Sequence, residues 1–312
     1  MKITRADFFQ KLIQFLGSLI TIIALVFALQ RIWTLGQANW NKLLEIRVIL
    51  LILIGGLFYG LNEFLLALAW QKLLVWFGES PTFGQCNAIY GRTQIAKYIP
   101  GNVFHLPTRH LAGSQAGFKH PALVGAAIYE IIGLVVASGT ITMLGLPAKT
   151  NLFSNTFTGQ FFIIFFFILL IPALQFMITR VKLSDKLGFP NHSLRESLNH
   201  LFPIWIIYLL FFTLAGAILW TLVGITTSHW DNIPPQFILS AYAISWLAGF
   251  ITPGAPAGIG VREVALIVLL SNYIGEPASI LVAIAARFVV SIGDISYFVI
   301  SHLYKNKQFP QP

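Results

Sequence analysis

Ala96-Lys97-Tyr98-Ile99-Pro100-Gly101, with Arg109 eight residues beyond the glycine, has a counterpart 153 positions later: Gly249-Phe250-Ile251-Thr252-Pro253-Gly254, with Arg262 eight residues beyond its glycine. The register then slips by three, so that Pro121-Ala122 matches Pro277-Ala278 and Ala127-Ile128 matches Ala283-Ile284. Proline removes a backbone donor and glycine frees φ, so Pro-Gly within an apolar segment interrupts a helix. An interrupted helix followed by an arginine, written twice in one chain, is the mark of a duplicated membrane fold.

The rest of the composition agrees. Hydrophobic residues make up 56% of the 312 positions and charged residues 10%, and the mean hydropathy is +0.76. A soluble domain of this length carries far more charge. Apolar runs recur at 12–33, 48–70, 121–146, 161–179, 201–224, 237–251 and 278–304, most of them reaching the ~20 residues that cross a bilayer. The expected fold class is an all-α polytopic membrane protein. The net charge of +9 then reads as cationic loops of a membrane protein rather than a nucleic-acid surface. Cys86 is the only cysteine, which excludes an intrachain disulfide and argues against a cysteine metal site. Lys2, Arg5 and Lys11 flank a first apolar run too long for a signal peptide, and an uncleaved first helix is expected.

If both Pro-Gly segments are re-entrant, six crossings remain: 12–34, 48–71, 121–146, 160–179, 201–224 and 278–303. With the N-terminus inside, Lys2, Arg5, Lys11, Lys72, Lys119, Arg180, Lys182, Lys186, Arg195, Lys305 and Lys307 lie on the cytoplasmic side. Only Arg31, Lys42, Arg47 and Lys149 lie outside, which places both termini in the cytoplasm. Each repeat, 1–156 and 157–312, then holds three crossings and one re-entrant pair, and an odd number of crossings inverts the second copy. The alternative counts the break segments as spans, giving about eight helices. The seam between repeats, 182–200, is expected to include a short amphipathic helix on the cytoplasmic surface.

Charges at membrane depth are retained only for a partner, a cavity or a ligand. They are Glu63, Arg92, Lys97, Arg109, Glu130, Arg262, Glu263, Arg287 and Asp294. Arg109 and Arg262, at matched positions, are candidates to face one midplane cavity and hold an anion by bidentate hydrogen bonds. The alternative for each is an internal ion pair, such as Arg262 with Glu263 or Glu130. Arg92 and Lys97 are candidate headgroup funnels or snorkelling cations. Glu130 and Arg287 are expected to bridge the repeats, Arg287 and Asp294 to share a helix face, and Glu63 to be a proton relay or a polar helix contact. His105, His110 and His120 are not spaced for one helix turn and lack a completing ligand, so no metal is expected. No nucleotide loop, hydrolase elbow or zinc-protease motif is visible. Trp33, Trp40, Trp70, Trp76 and Trp230 read as interfacial anchors.

Residues 95–103 (Ile-Ala-Lys-Tyr-Ile-Pro-Gly-Asn-Val) and 253–263 (Pro-Gly-Ala-Pro-Ala-Gly-Ile-Gly-Val-Arg-Glu) resemble the signatures of the lysylphosphatidylglycerol synthetase transmembrane-region, flippase-type family. The second motif departs from the usual Pro-Gly-Gly-x-Gly-x-Arg-Glu at Ala255 and at Pro256-Ala257. The resemblance covers essentially the whole chain, with Pro100, Gly101, Pro253, Gly254, Gly258 and Gly260 as break residues. It implies movement of anionic phospholipids or polyprenyl-type lipids across the bacterial inner membrane, without a fused synthetase domain. Arg109, Arg262, Arg92, Lys97 and Glu263 become the expected substrate-binding residues. No catalytic residue or cofactor is expected. The alternative is a non-transport scaffold for a lipid-modifying or glycosyltransferase partner, bound through the 180–200 loop.

Overall fold

The computed structural model describes residues 40–99, 104–145, 194–227, 233–252 and 255–303. The expected crossings at 12–34 and 160–179, both termini, the loop up to 193, and Pro100, Gly101, Pro253 and Gly254 themselves lie outside these residues. After a helical turn at Trp40–Leu43 come α1 (Ile46–Trp76), α2 (Phe83–Gln94), α3 (His105–Gln115) and α4 (His120–Gly145). The second set is α5 (Leu194–Thr226), α6 (Pro235–Ile251), α7 (Val261–Ile274) and α8 (Glu276–Leu303). Short 3-10 turns follow α2 at Ile95–Tyr98 and precede α7 at Pro256–Gly258. No strand occurs among the described residues.

Local chemistry accounts for the breaks. A residue before proline is pushed out of the helical region, and both such residues are extended: Ile99 at φ −70°, ψ 135° and Thr252 at φ −74°, ψ 109°. The chain re-enters a helix at α7 through left-handed backbone at Ala257 (φ 49°), Gly258 (φ 70°) and Gly260 (φ 85°). Glu263 then caps α7 by accepting the Gly260 N–H at 2.6 Å, as an N3 carboxylate does. At the other hairpin, Thr82 and Gln85 form a reciprocal capping box that starts α2.

Five helical segments are long and apolar enough to cross a membrane: Ile46–Trp76, His120–Gly145, Arg195–Thr226, Pro256–Ile274 and Glu276–Leu303. This is a multi-pass membrane protein. Its faces are arranged accordingly, for α1 turns Leu50, Leu53, Ile54, Leu57, Phe58 and Leu61 outward and buries Asn62 and Glu63. Polar groups go inside because lipid cannot satisfy them. The surface helix expected at the seam is not present in its described part, since residues 194–200 run without interruption into α5, past Pro203.

The principal helix pairs correspond when α1–α4 are exchanged for α5–α8. Helix α1 packs on α8 as α5 packs on α4, and α2 on α8 as α6 on α4. The pairs α1–α2 and α5–α6, α2–α3 and α6–α7, α3–α4 and α7–α8, and α1–α4 and α5–α8 correspond likewise, while α1 packs on α5. Chain direction is visible at the ends. The start of α1 (Lys42, Glu45, Arg47) shares a polar cleft with the end of α5 (Gly224–Thr227). At the other end Glu79, after α1, accepts the N–H of Lys119, before α4, at 3.2 Å. Phe237 at the start of α6 lies 4.5 Å from the Tyr273 ring near the end of α7.

The α1–α8 seam is closely packed through glycines. A Cβ on Gly60 would collide with Ser296 Oγ and come within 2.8 Å of the Gly293 carbonyl, and one on Gly293 would reach the Gly56 carbonyl at 3.0 Å. Small residues bring membrane helices this close. The same seam carries Glu63, one turn after Gly60, and Asp294, next to Gly293.

A candidate anion site beside a locked arginine

The two matched arginines have opposite surroundings. Arg109 on α3 is buried and donates from Nη1 to both Glu130 oxygens at 2.7 Å and from Nη2 to Gln94 Oε1 at 2.9 Å. Its guanidinium lies 3.5 Å from the centre of the Tyr90 ring, and the Tyr90 hydroxyl also donates to Glu130, at 2.7 Å. Its Nε is left without a partner among the described residues, but a carboxylate, an amide and an aromatic face hold the rest of the guanidinium.

Arg262 on α7 has no hydrogen bond or carboxylate partner among the described residues, and its Nε is buried and unsatisfied. Its side chain lies in a slot floored by glycines. A Cβ on Gly249 would come within 2.5 Å of its Cγ, and one on Gly258 within 2.6 Å of its Nε. The guanidinium sits 5.8 Å from the Trp246 ring and lines a cleft with Tyr242, Ser245, Glu263, Ala286 and Arg287. The void there is about 20 Å³, room for one water molecule. The repeat register explains the contrast. Gln94 corresponds to Leu247 and Tyr90 to Ala243, and after the three-residue slip Glu130 corresponds to Ala286. Each polar partner of Arg109 is apolar around Arg262.

A third set of charges joins the two breaks. Lys97, from the turn after α2, donates to Asp294 of α8 at 2.6 Å and reaches Glu63 of α1 at 3.5 Å. Tyr98 donates its hydroxyl to the other Asp294 oxygen at 2.5 Å. Arg287 stands 5.6 Å from the centre of the Tyr98 ring, donates to the Ala257 carbonyl at 3.2 Å and lies 3.6 Å from Glu263. The string thus runs from α1, through the turn before the first break, to the turn after the second.

Several expectations change. Glu130 pairs with Arg109 and Arg287 with Glu263, so the expected Glu130–Arg287 bridge does not form. Arg109 does not line the Arg262 cleft, because Glu130 draws it between α2 and α4. Lys97 is clamped by two acids, with 12% of its side chain exposed, rather than held free for a headgroup. Arg287 and Asp294, both on α8 as expected, are linked through Tyr98. Arg92 is half-buried on the last turn of α2. Trp70 and Trp76 are buried and pack on Tyr90 and Tyr129. Packing of α3 on α4 brings His110 and His120 together at 2.8 Å, though no three metal-ligating groups cluster among the described residues. Sequence reasoning missed Tyr90, Gln94, Trp246 and Gly249. The repeat register would have found the first two, once the partners of Arg109 were compared with those of Arg262.

Comparison with known protein families and with characterised proteins returns no match to this chain.

Proposed function

We propose that this protein is a lipid transporter of the flippase type, which moves an anionic lipid across the bacterial inner membrane and holds its phosphate at Arg262. The observation that carries this reading is an arginine with no hydrogen bond or ion pair among the described residues, while its sequence counterpart is held by Glu130 and Gln94. Cations at membrane depth are kept for a ligand when they lack a protein partner. Trp246 and the glycine slot would orient the guanidinium, and Arg287 would add a second cation on the same cleft. The narrow void corresponds to a closed conformation, and access for a headgroup requires α6 and α7 to part from α8 at the left-handed turn around Ala257 and Gly258.

The architecture behind this reading is an inverted repeat of α1–α4 and α5–α8, with both termini in the cytoplasm. Its support is the exchange of helix pairs and the end contacts. Helices α1 and α5 run in opposite directions. The α2–α3 pair leaves and returns at the Glu79–Lys119 end, and the α6–α7 pair at the end where α5 finishes. Facing re-entrant pairs of this kind build alternating-access sites.

The test is movement of a fluorescent anionic lipid in proteoliposomes. Arg262→Ala is expected to slow it ten- to a hundredfold, the equivalent of about 1.5–3 kcal/mol for a charge-assisted contact. Ala286→Glu, which places at Arg262 the acid that locks Arg109, should slow it comparably. Wild-type rates in both variants would rule out Arg262 as the lipid site.

A further inference from the structure

The acids that hold Lys97 are not charge-balanced. Glu63 and Asp294 each have 1% of the side chain exposed, and the Lys97 ammonium lies between them. Asp294 is satisfied on both oxygens, by Lys97 and by the Tyr98 hydroxyl. Among the described residues, Glu63 has only the long 3.5 Å approach of Lys97 to one oxygen, and its buried Oε2 has no hydrogen-bond partner. Two carboxylates against one ammonium leave one negative charge in a dry seam, and an uncompensated buried charge is relieved by taking up a proton.

The other neighbours do not remove that charge. On α1, Tyr59 precedes Glu63 by about a turn, and its hydroxyl accepts from Tyr242 of α6 at 3.2 Å. Arg262 of α7 is directed to the Trp246 cleft and Arg287 of α8 to Tyr98 and Glu263. Helix α5 contributes a neutral group, the Phe211 carbonyl, which accepts from Asn62 at 2.9 Å. On α4, Glu130 is engaged by Arg109. The Lys97 amine itself stands against both carboxylates.

We infer that Glu63 is a proton-binding site, whose occupancy decides whether Lys97 stays docked on Asp294. With the proton on Glu63, the set is neutral and the turn before the first break is fixed to α8. When the proton leaves, the Glu63 carboxylate competes with Asp294 for the ammonium and draws Lys97 and Tyr98 toward α1. Arg287 rests on Tyr98, so the second break feels the change. The reading of Glu63 as a proton site stands without any assumption about lipid; as the coupling ion of a transporter it rests on the function proposed above.

The experiment is pH-difference infrared spectroscopy of the purified full-length protein in detergent, with no lipid substrate added. A carbonyl band of a protonated buried carboxyl should disappear as the pH is raised, be missing in Glu63→Gln, and persist in the Glu79→Gln control. Lys97→Met, which removes the ammonium, should move the loss of that band at least tenfold lower in proton concentration. Absence of a titrating band in the wild type, its persistence in Glu63→Gln, or an unchanged midpoint in Lys97→Met would each overturn the assignment. Because no lipid enters this measurement, its failure and that of the Arg262 assay are independent.

Discussion

A buried arginine is stabilised or exposed by a few side chains around it, and the two matched arginines of this protein sample both conditions. Arg109 keeps its charge in an apolar interior because Glu130, Gln94 and Tyr90 surround it. Removal of only one partner leaves a buried, unpaired charge, at a cost of about 3–5 kcal/mol. Arg109→Met is therefore expected to lower the thermal unfolding midpoint in detergent sharply. The double variant Arg109→Met/Glu130→Leu should recover most of the loss, since apolar replacements of a buried pair are often neutral. A double variant no more stable than the single one would show that the pair does not act as a unit. The identity of Glu130 as the partner was not legible in the sequence. Arg262 and Arg287 were both weighed as partners of Glu130, and only the packing of α3 on α4 brings Arg109 to it instead.

At the scale of elements, glycine decides how closely α1 and α8 approach, and this approach sets the distance between Glu63 and Asp294. Gly60→Val and Gly293→Ala would each press a side chain into the facing helix, where Ser296, Tyr59 and backbone atoms stand. Overpacking of this kind costs about 1–3 kcal/mol, read as a fall in the unfolding midpoint. Gly78→Ala meets no atom within 4 Å, and only its φ of +84° is strained, at about 1 kcal/mol. Equal losses at all three sites would argue against a packing role for the seam. The breaks themselves were legible, because a pre-proline residue is biased toward extended backbone and here a glycine follows the proline in each case. The seam was not legible, since glycines occur in every apolar run and only the register of two distant helices makes three of them critical.

The whole molecule presents two ends whose side of the membrane can be read directly. Cys86 is buried, so a cysteine introduced elsewhere reports without background labelling. A membrane-impermeant maleimide added to intact cells is expected to label Lys42→Cys and Thr227→Cys. Lys119→Cys and Glu79→Cys should be labelled only after permeabilisation. Labelling of all four from one side would remove the opposed directions of α1 and α5, and the inverted arrangement with them.

Composition and periodicity were sufficient for a helical membrane protein, because the bilayer imposes one rule on every crossing segment: length, apolarity and internal satisfaction of the backbone. The two Pro-Gly positions also determined where the helices stop. Tertiary structure alone decided which charge meets which. Lys97 and Asp294 are 197 residues apart, and no local pattern encodes that encounter. It follows from two helices fitted together through glycines, with each buried ion taking the nearest opposite charge available in a medium that does not screen it.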